Sequence, residues 1–258
     1  FLVIYISSNY LKRNQIHFFE YPILLLFSIL GMLVMISAND LIVLYISIEL
    51  QSLSLYVLVA LRRSSIKGSE AALKYFILGS IASAVILYGC SMVYSVVGST
   101  NYEIIKQLSD QTSDNLILSL GLVLILSGVA FKLSAAPFHM WTPDVYEGSP
   151  TSVTTVLITL PKLAALIVLI NLLLYPFQNQ TFTWVPIIII ISILSMAIGS
   201  ISAIKQDNLK RLFAFSTIAN IGYVMIGLAS VNDEAITASF LYIFIYTLAT
   251  LGIFSFIM

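Results

Sequence analysis

The sequence holds very little charge. Asp, Glu, Lys and Arg make up only 9% of its 258 residues, with 12 acidic and 12 basic. A soluble domain carries about 25% charged residues, so a water-soluble enzyme of this length is excluded. No basic run is present and the net charge is zero, which removes nucleic acid as a partner, because phosphate binding needs clustered Lys and Arg. The lone cysteine, Cys90, rules out an intrachain disulfide and a cysteine metal cage. Only two histidines occur, His17 and His139, and they are far apart. With no cysteine cluster and no paired His at haem spacing, no redox centre is expected in this chain, and no metal site. No Gly-rich phosphate loop marks a nucleotide, so no cofactor-binding residue is assigned. A basic leader followed by a short apolar stretch and a small-residue cleavage site is also missing.

What is there is apolar: 59% of the residues are hydrophobic, with 15 Phe and 14 Tyr. The expectation is a polytopic membrane protein. Stretches of about 20 mostly apolar residues fall roughly at 21–38, 41–61, 71–97, 115–136, 150–174, 184–204, 209–230 and 235–258. Lipid leaves no partner for unpaired backbone groups, and no alternating short segments suggest a barrel. These segments are therefore read as helices in one membrane domain, 1–258. The start at Phe1 and the stop inside an apolar run lead us to expect a piece of a longer chain, residues 1–7 closing an earlier span.

If every span crosses, the connections on one side carry Lys12, Arg13, Arg62, Arg63, Lys67, Lys205, Lys210 and Arg211, and those on the other only Lys106. That asymmetry places the basic side in a bacterial cytoplasm or a mitochondrial matrix. The longest loop, 98–114, lies opposite and carries Glu103, Asp110 and Asp114.

Four charges lie neither in connections nor at span edges: Glu49, Lys74, Lys132 and Lys162. Each costs about 2.5–3.5 kcal/mol at a helix centre on insertion scales, and such residues line bundle interiors or ion pathways. Glu49 shares a helical face with Tyr45, Ser52 and Tyr56. A carboxylate there can exchange a proton or form a structural ion pair. Lys162 is central, on the side of Ser152, Thr155 and Thr159. Pro161 beside it predicts a kink and a freed carbonyl. The amine is expected near mid-membrane in a hydrated cavity shared with Thr155 or Thr159, either passing a proton or serving as a fixed counter-ion. Lys132 precedes Pro137, where the helix should break. The segment 138–141 should lie within the protein, as broken helices at depth line cavities. Lys74 lies close to a span end, where an interfacial and a functional role are equally open. His139, in the broken segment, titrates near neutral pH and is a possible relay. His17, in a loop, is given no role.

The stretch Gly128-Val-Ala-Phe-Lys-Leu-Ser-Ala-Ala-Pro137-Phe-His-Met-Trp141-Thr-Pro-Asp144-Val-Tyr-Glu147-Gly148 resembles the signature of the antiporter-like membrane-arm subunits of respiratory complex I (NADH:ubiquinone oxidoreductase). Within that family it looks most like the subunit 2 branch. Ile48-Glu49-Leu50, Glu70-Ala-Ala-Leu-Lys74-Tyr-Phe76 and Leu209-Lys210-Arg211-Leu212 agree. The resemblance covers essentially the whole chain. It implies an all-α antiporter-like helix bundle with inverted five-helix repeats and a broken helix near Pro137. The first repeat would be complete at 21–174 and the second begun at 184–258. It also implies that Glu49 and Lys132 pair, that Lys74 joins them, and that Lys162 is the central lysine of a proton path. No cofactor would sit in this chain; NADH, FMN, iron–sulfur clusters and ubiquinone would belong to partner subunits. The partners implied are adjacent antiporter-like and small membrane subunits, and lipid. Where the family often carries His after Ser-Ser-x-x, this sequence reads Ser216-Thr-Ile-Ala-Asn220, and Asn cannot titrate. A stand-alone cation/proton antiporter of the related multi-subunit type and a structural spacer without proton flux remain the rival readings. A composition rich in Ile, Leu, Phe, Tyr and Ser favours the mitochondrial inner membrane, with the bacterial plasma membrane as the alternative.

Overall fold

The computed structural model describes residues 2–13, 19–62, 64–109 and 115–258. His17, Arg63, Asp110 and Asp114 lie outside them. Twelve α-helices run in the order α1 (Leu2–Arg13), α2 (Glu20–Ile36), α3 (Leu41–Val59), α4 (Ile66–Val97), α5 (Tyr102–Ser109), α6 (Leu116–Leu133), α7 (Trp141–Gly148), α8 (Thr151–Ile158), α9 (Leu160–Leu174), α10 (Thr181–Ile204), α11 (Leu209–Ala229) and α12 (Asp233–Ile257), with no β-strand among the described residues.

Among the described residues seven segments are long and apolar enough to cross a membrane, with α8 and α9 together forming one of them, Thr151–Leu174. The 17-residue helix α2 is an eighth, shorter apolar helix. Each expected span therefore has a counterpart. The loop expected at 98–114 differs in holding α5, whose Tyr102 and Ile105 are buried against the bundle.

Helix starts follow from the sequence. Asp40, Ser65, Asn115, Asn208 and Asn232 sit in non-helical backbone, and their side-chain oxygens accept from the first free N–H groups of α3, α4, α6, α11 and α12. Asp40 also accepts from the Thr100 hydroxyl at 2.6 Å, tying the start of α3 to the end of α4. Helix pairs approach closely where side chains vanish. A Cβ on Gly89 of α4 would lie 2.7 Å from the Gly121 carbonyl of α6, and one on Gly121 3.0 Å from that of Gly89. Close backbone approach through small residues is how helices associate when lipid removes the hydrophobic drive between them. The faces of α10 and α12 carry exposed Ile190, Ile193, Ile201, Ile245 and Phe256, as lipid-facing or protein-covered helices do. The polar residues discussed next lie where α3, α4, α6, α7 and α9 converge.

Candidate functional site

The break in α6 is built by two residues. Ser134 takes the left-handed conformation, φ 64°. The Ala135 N–H donates to the Ala130 carbonyl at 2.9 Å and the Ser134 N–H to Phe131 at 3.0 Å, closing a Schellman turn. Pro137 then supplies no N–H. The Ala136 N–H, which a continuous helix would aim at Lys132, donates instead to Ser195 Oγ of α10 at 2.8 Å. The Lys132 carbonyl is thus left without its helical partner. The interruption expected near Pro137 is present. The expected burial of 138–141 holds only for Trp141, since Phe138 and Met140 are exposed. The turn faces outward there, and Trp141 alone folds back, donating Nε1–H to the Phe131 carbonyl at 3.0 Å.

A second break separates α8 from α9 at Thr159. Pro161 frees the Leu157 carbonyl, which accepts from the Tyr146 hydroxyl of α7 at 3.2 Å. Lys162 follows in the first turn of α9, a position where the helix dipole disfavours a cation. It is wholly buried. Its Nζ donates to the freed Lys132 carbonyl at 3.0 Å and to Ser134 Oγ, and lies 4.8 Å from the centre of the Trp141 ring. The negative C-terminal end of α6 therefore offsets the positive N-terminal end of α9 at this amine. Among the described residues no direct hydrogen bond joins the amine to Thr155 or Thr159, the residues expected to share a hydrated cavity with it. Both hydroxyls are satisfied on their own helix, Thr155 on the Thr151 carbonyl at 2.9 Å and Thr159 on that of Thr155 at 2.7 Å.

Lys132 itself, in the last turn of α6, is buried. Its Nζ donates to Ser52 Oγ of α3 at 2.7 Å, and that hydroxyl donates to the Ile48 carbonyl at 2.7 Å. The Tyr56 ring centre lies 6.0 Å from the amine. Glu49, one turn before Ser52, is half-buried, and its buried Oε1 has no hydrogen-bond partner among the described residues. No ion pair joins Glu49 to Lys132 among the described residues. Ser52 takes the amine that the resemblance assigns to Glu49. A void of about 10 Å³ beside Lys132, lined by Ile48, Gln51 and Ala165 among others, is the size of one water position. Lys132 and Lys162 are thus joined through the main chain of the broken helix, and Glu49 stands open beside them.

Lys74 does not join this group. Its amine pairs with Asp144 of α7 at 2.9 Å and Glu70 at 2.8 Å, and its side chain is 43% exposed. Asp144 and Glu147 hold Arg211 of α11 at 2.8 and 3.2 Å, and Glu147 reaches Lys67 at 3.3 Å. Six charges of alternating sign therefore staple α4, α7 and α11 around a cavity of about 180 Å³. Burial raises the Asp144 carboxyl, but its bonds to Lys74 and Arg211 outweigh that and hold it below the usual carboxylate range. His139 is half-buried; among the described residues its buried Nδ1 has no hydrogen-bond partner and no hydrogen bond connects it to Lys132 or Lys162.

Sequence reasoning assigned no role to Ser134, Asp144, Glu147 or Arg211. Ser134 carries no Gly to mark its turn. The acidic pair was visible in the quoted motif, but only the fold brings Arg211 to it. Among the described residues no three His, Cys, Asp or Glu gather as a metal site.

Residues 38–258 match the family described as NADH:quinone oxidoreductase/Mrp antiporter, transmembrane. The chain is 52% identical over 253 residues to NADH-quinone oxidoreductase subunit N of Pelagibacter ubique, covering 98% of this chain and 53% of that protein. It is 47% identical to subunit N 1 of Rhizobium meliloti, with the same shares. Among solved structures it superimposes on a chain of respiratory complex I from Thermus thermophilus with bound aureothin, with a TM-score of 0.79, 36% identity, and coverage of 92% of this chain and 51% of that one. A chain of the Mrp complex from Dietzia shares the fold, with a TM-score of 0.83 at 24% identity over 91% of this chain and 44% of that one. The chain spans about half the length of the curated relatives it matches. With a helical multi-pass bundle, two broken helices meeting at a buried lysine, and a match over most of its length, this chain belongs to the NADH:quinone oxidoreductase/Mrp antiporter transmembrane family.

Proposed function

We propose that this chain works within a proton-translocating membrane-arm subunit of NADH:quinone oxidoreductase, of the subunit 2 or subunit N type. The observation that carries the reading is the wholly buried amine of Lys162. It is the twelfth residue of the segment Thr151–Leu174 and is bonded to the broken end of α6 at Lys132. A fixed spacer would neutralise such an amine with a carboxylate. Lys162 has a carbonyl and a hydroxyl instead, so its charge is free to respond to its surroundings. Lys132, bonded to Ser52, has Glu49 open one turn away on the same helix. Moving the Lys132 amine from Ser52 to Glu49 would neutralise one charge beside Lys162, and a proton on Lys162 would then meet a different field. Quinone reduction, with NADH, FMN, iron–sulfur clusters and ubiquinone, would take place in partner subunits and bias that movement.

Residues 21–174 would form the first five-helix repeat and 184–258 the beginning of the second. Adjacent antiporter-like and small membrane subunits and lipid would cover the exposed apolar faces. For the compartment, the relatives are bacterial, which favours a bacterial plasma membrane over the mitochondrial inner membrane that composition suggested. The basic connections would face the cytoplasm.

The test is proton pumping by the whole complex reconstituted in vesicles. Lys162→Arg, which keeps its proton at every working pH, and Lys162→Met, which has none, should both stop NADH-driven acidification while the complex still assembles. Normal pumping by both variants would refute the proton path. The family also contains Mrp antiporters. Co-purification with other antiporter chains and no NADH-oxidising subunits would move the reading there.

A further inference from the structure

We propose that Ser134 is a positioning residue, its hydroxyl holding the Lys162 amine against the Lys132 carbonyl at the broken end of α6. This rests on the proton-path reading of Lys162 and adds a residue to it. The first observation is conformational. Ser134 stands at φ 64° in the left-handed region, where glycine fits without hindrance and a side chain brings a steric penalty. A helix stop alone would be met better by glycine, so the side chain needs a separate reason. The second observation supplies it. Ser134 is fully buried, and its Oγ accepts from Lys162 and from the Thr142 hydroxyl, the latter at 2.7 Å.

The third is the accounting at the amine. An ammonium has three N–H donors and no acceptor. Lys162 reaches two acceptors, the Lys132 carbonyl and the Ser134 hydroxyl, with the Trp141 ring alongside. Remove the hydroxyl and one of two acceptors of a wholly buried amine is gone, leaving the side chain free to leave the Lys132 carbonyl. Thr142 and Trp141 both lie in the first turn of α7. Ser134 is therefore the point at which α6, α7 and α9 share one amine, and it keeps that amine on the Lys132 carbonyl.

The experiment uses the full-length subunit in the assembled complex and reads the rate of NADH-driven proton pumping, along with assembly. Ser134→Gly keeps the left-handed turn and deletes the CH2OH side chain, hydroxyl included. It should assemble as the wild type does, yet pump about tenfold more slowly, the worth of one hydrogen bond to a charged group. Ser134→Asn, which tolerates the same backbone and carries an amide oxygen, should retain a substantial part of the pumping. Wild-type pumping by Ser134→Gly would overturn the inference and leave Ser134 as a helix stop. Failure of Ser134→Gly to assemble would overturn it too, since the hydroxyl would then be structural. If Lys162→Met pumps normally, the proton-path reading itself fails; if only Ser134→Gly pumps normally, that reading stands and the positioning role alone is lost.

Discussion

Replacing Lys162 by Met should leave the protein as stable as before, or more so, while abolishing its function. The structure sets the sizes. Lys162 is wholly buried and its amine donates to the Lys132 carbonyl and Ser134 Oγ. Without the amine, Ser134 keeps its donor, because Thr142 still bonds it at 2.7 Å. Only the Lys132 carbonyl is stranded, at a cost of about 1–3 kcal/mol. On the other side, methionine fills much the same volume and removes a buried cation whose desolvation costs several kcal/mol. The balance predicts a change between about zero and 3 kcal/mol in favour of the variant, in line with replacements of buried charges by apolar groups. The assay is thermal inactivation of the purified complex in one detergent, wild type against Lys162→Met, alongside NADH-driven pumping in vesicles. A loss of about 3–5 kcal/mol, the signature of stranding a buried partner charge, would refute the reasoning. It would mean that Lys162 neutralises a carboxylate and is structural.

Three further outcomes follow from neighbouring contacts. Glu49→Gln keeps shape and hydrogen bonding but removes charge, so it should assemble normally and lose NADH-driven pumping; wild-type pumping would remove Glu49 from the path. Gly79→Ala should destabilise by about 1–3 kcal/mol through overpacking, because the new Cβ would lie 2.7 Å from Tyr56 Cζ, and Tyr56 is wedged edge-on against Tyr75 with ring centres 4.7 Å apart. A Gly79→Ala/Tyr56→Phe double variant, relieving the hydroxyl clash, should recover part of that in the same melting assay, and no recovery would contradict the packing account. Asp144, held below the usual carboxylate range by Lys74 and Arg211, contributes stability that is fully present above its unfolded value, near 3.9, and is lost as pH falls through its lower folded value. With its side chain 35% exposed, solvent screening limits the contribution to about 1 kcal/mol or less. The melting difference between wild type and Asp144→Asn should therefore exist at pH 7 and shrink on acidification below the ordinary carboxylate range; a gap independent of pH would show that Asp144 acts by shape alone.

Much was legible along the chain because it is set by local physics. Hydropathy over about 20 residues fixes which segments suit lipid, and Asp40, Asn115 and Asn208 announce the helix starts they cap. Pro137 and Pro161 cannot donate an N–H, so both breaks were readable, and the placement of Lys132 and Lys162 beside them marked the site. What the sequence left open is the choice of partner. Lys162 has hydroxyls three and seven residues before it in the same membrane segment, yet bonds Lys132 and Ser134, 30 and 28 residues earlier. Lys132 lies 80 residues from the Ser52 that holds it. Lys74 could serve the buried pair or the surface, and only the packing of α7 between α4 and α11 gives it Asp144 and shares that carboxylate with Arg211. Periodicity tells which face a side chain leaves from, but not which helix that face meets. Ser134 shows the limit most sharply: nothing in Leu-Ser-Ala-Ala-Pro says that the serine turns left-handed, because that turn is held by the Schellman bonds and the packing around it, and its hydroxyl becomes a ligand for an amine only once α9 lies against the end of α6.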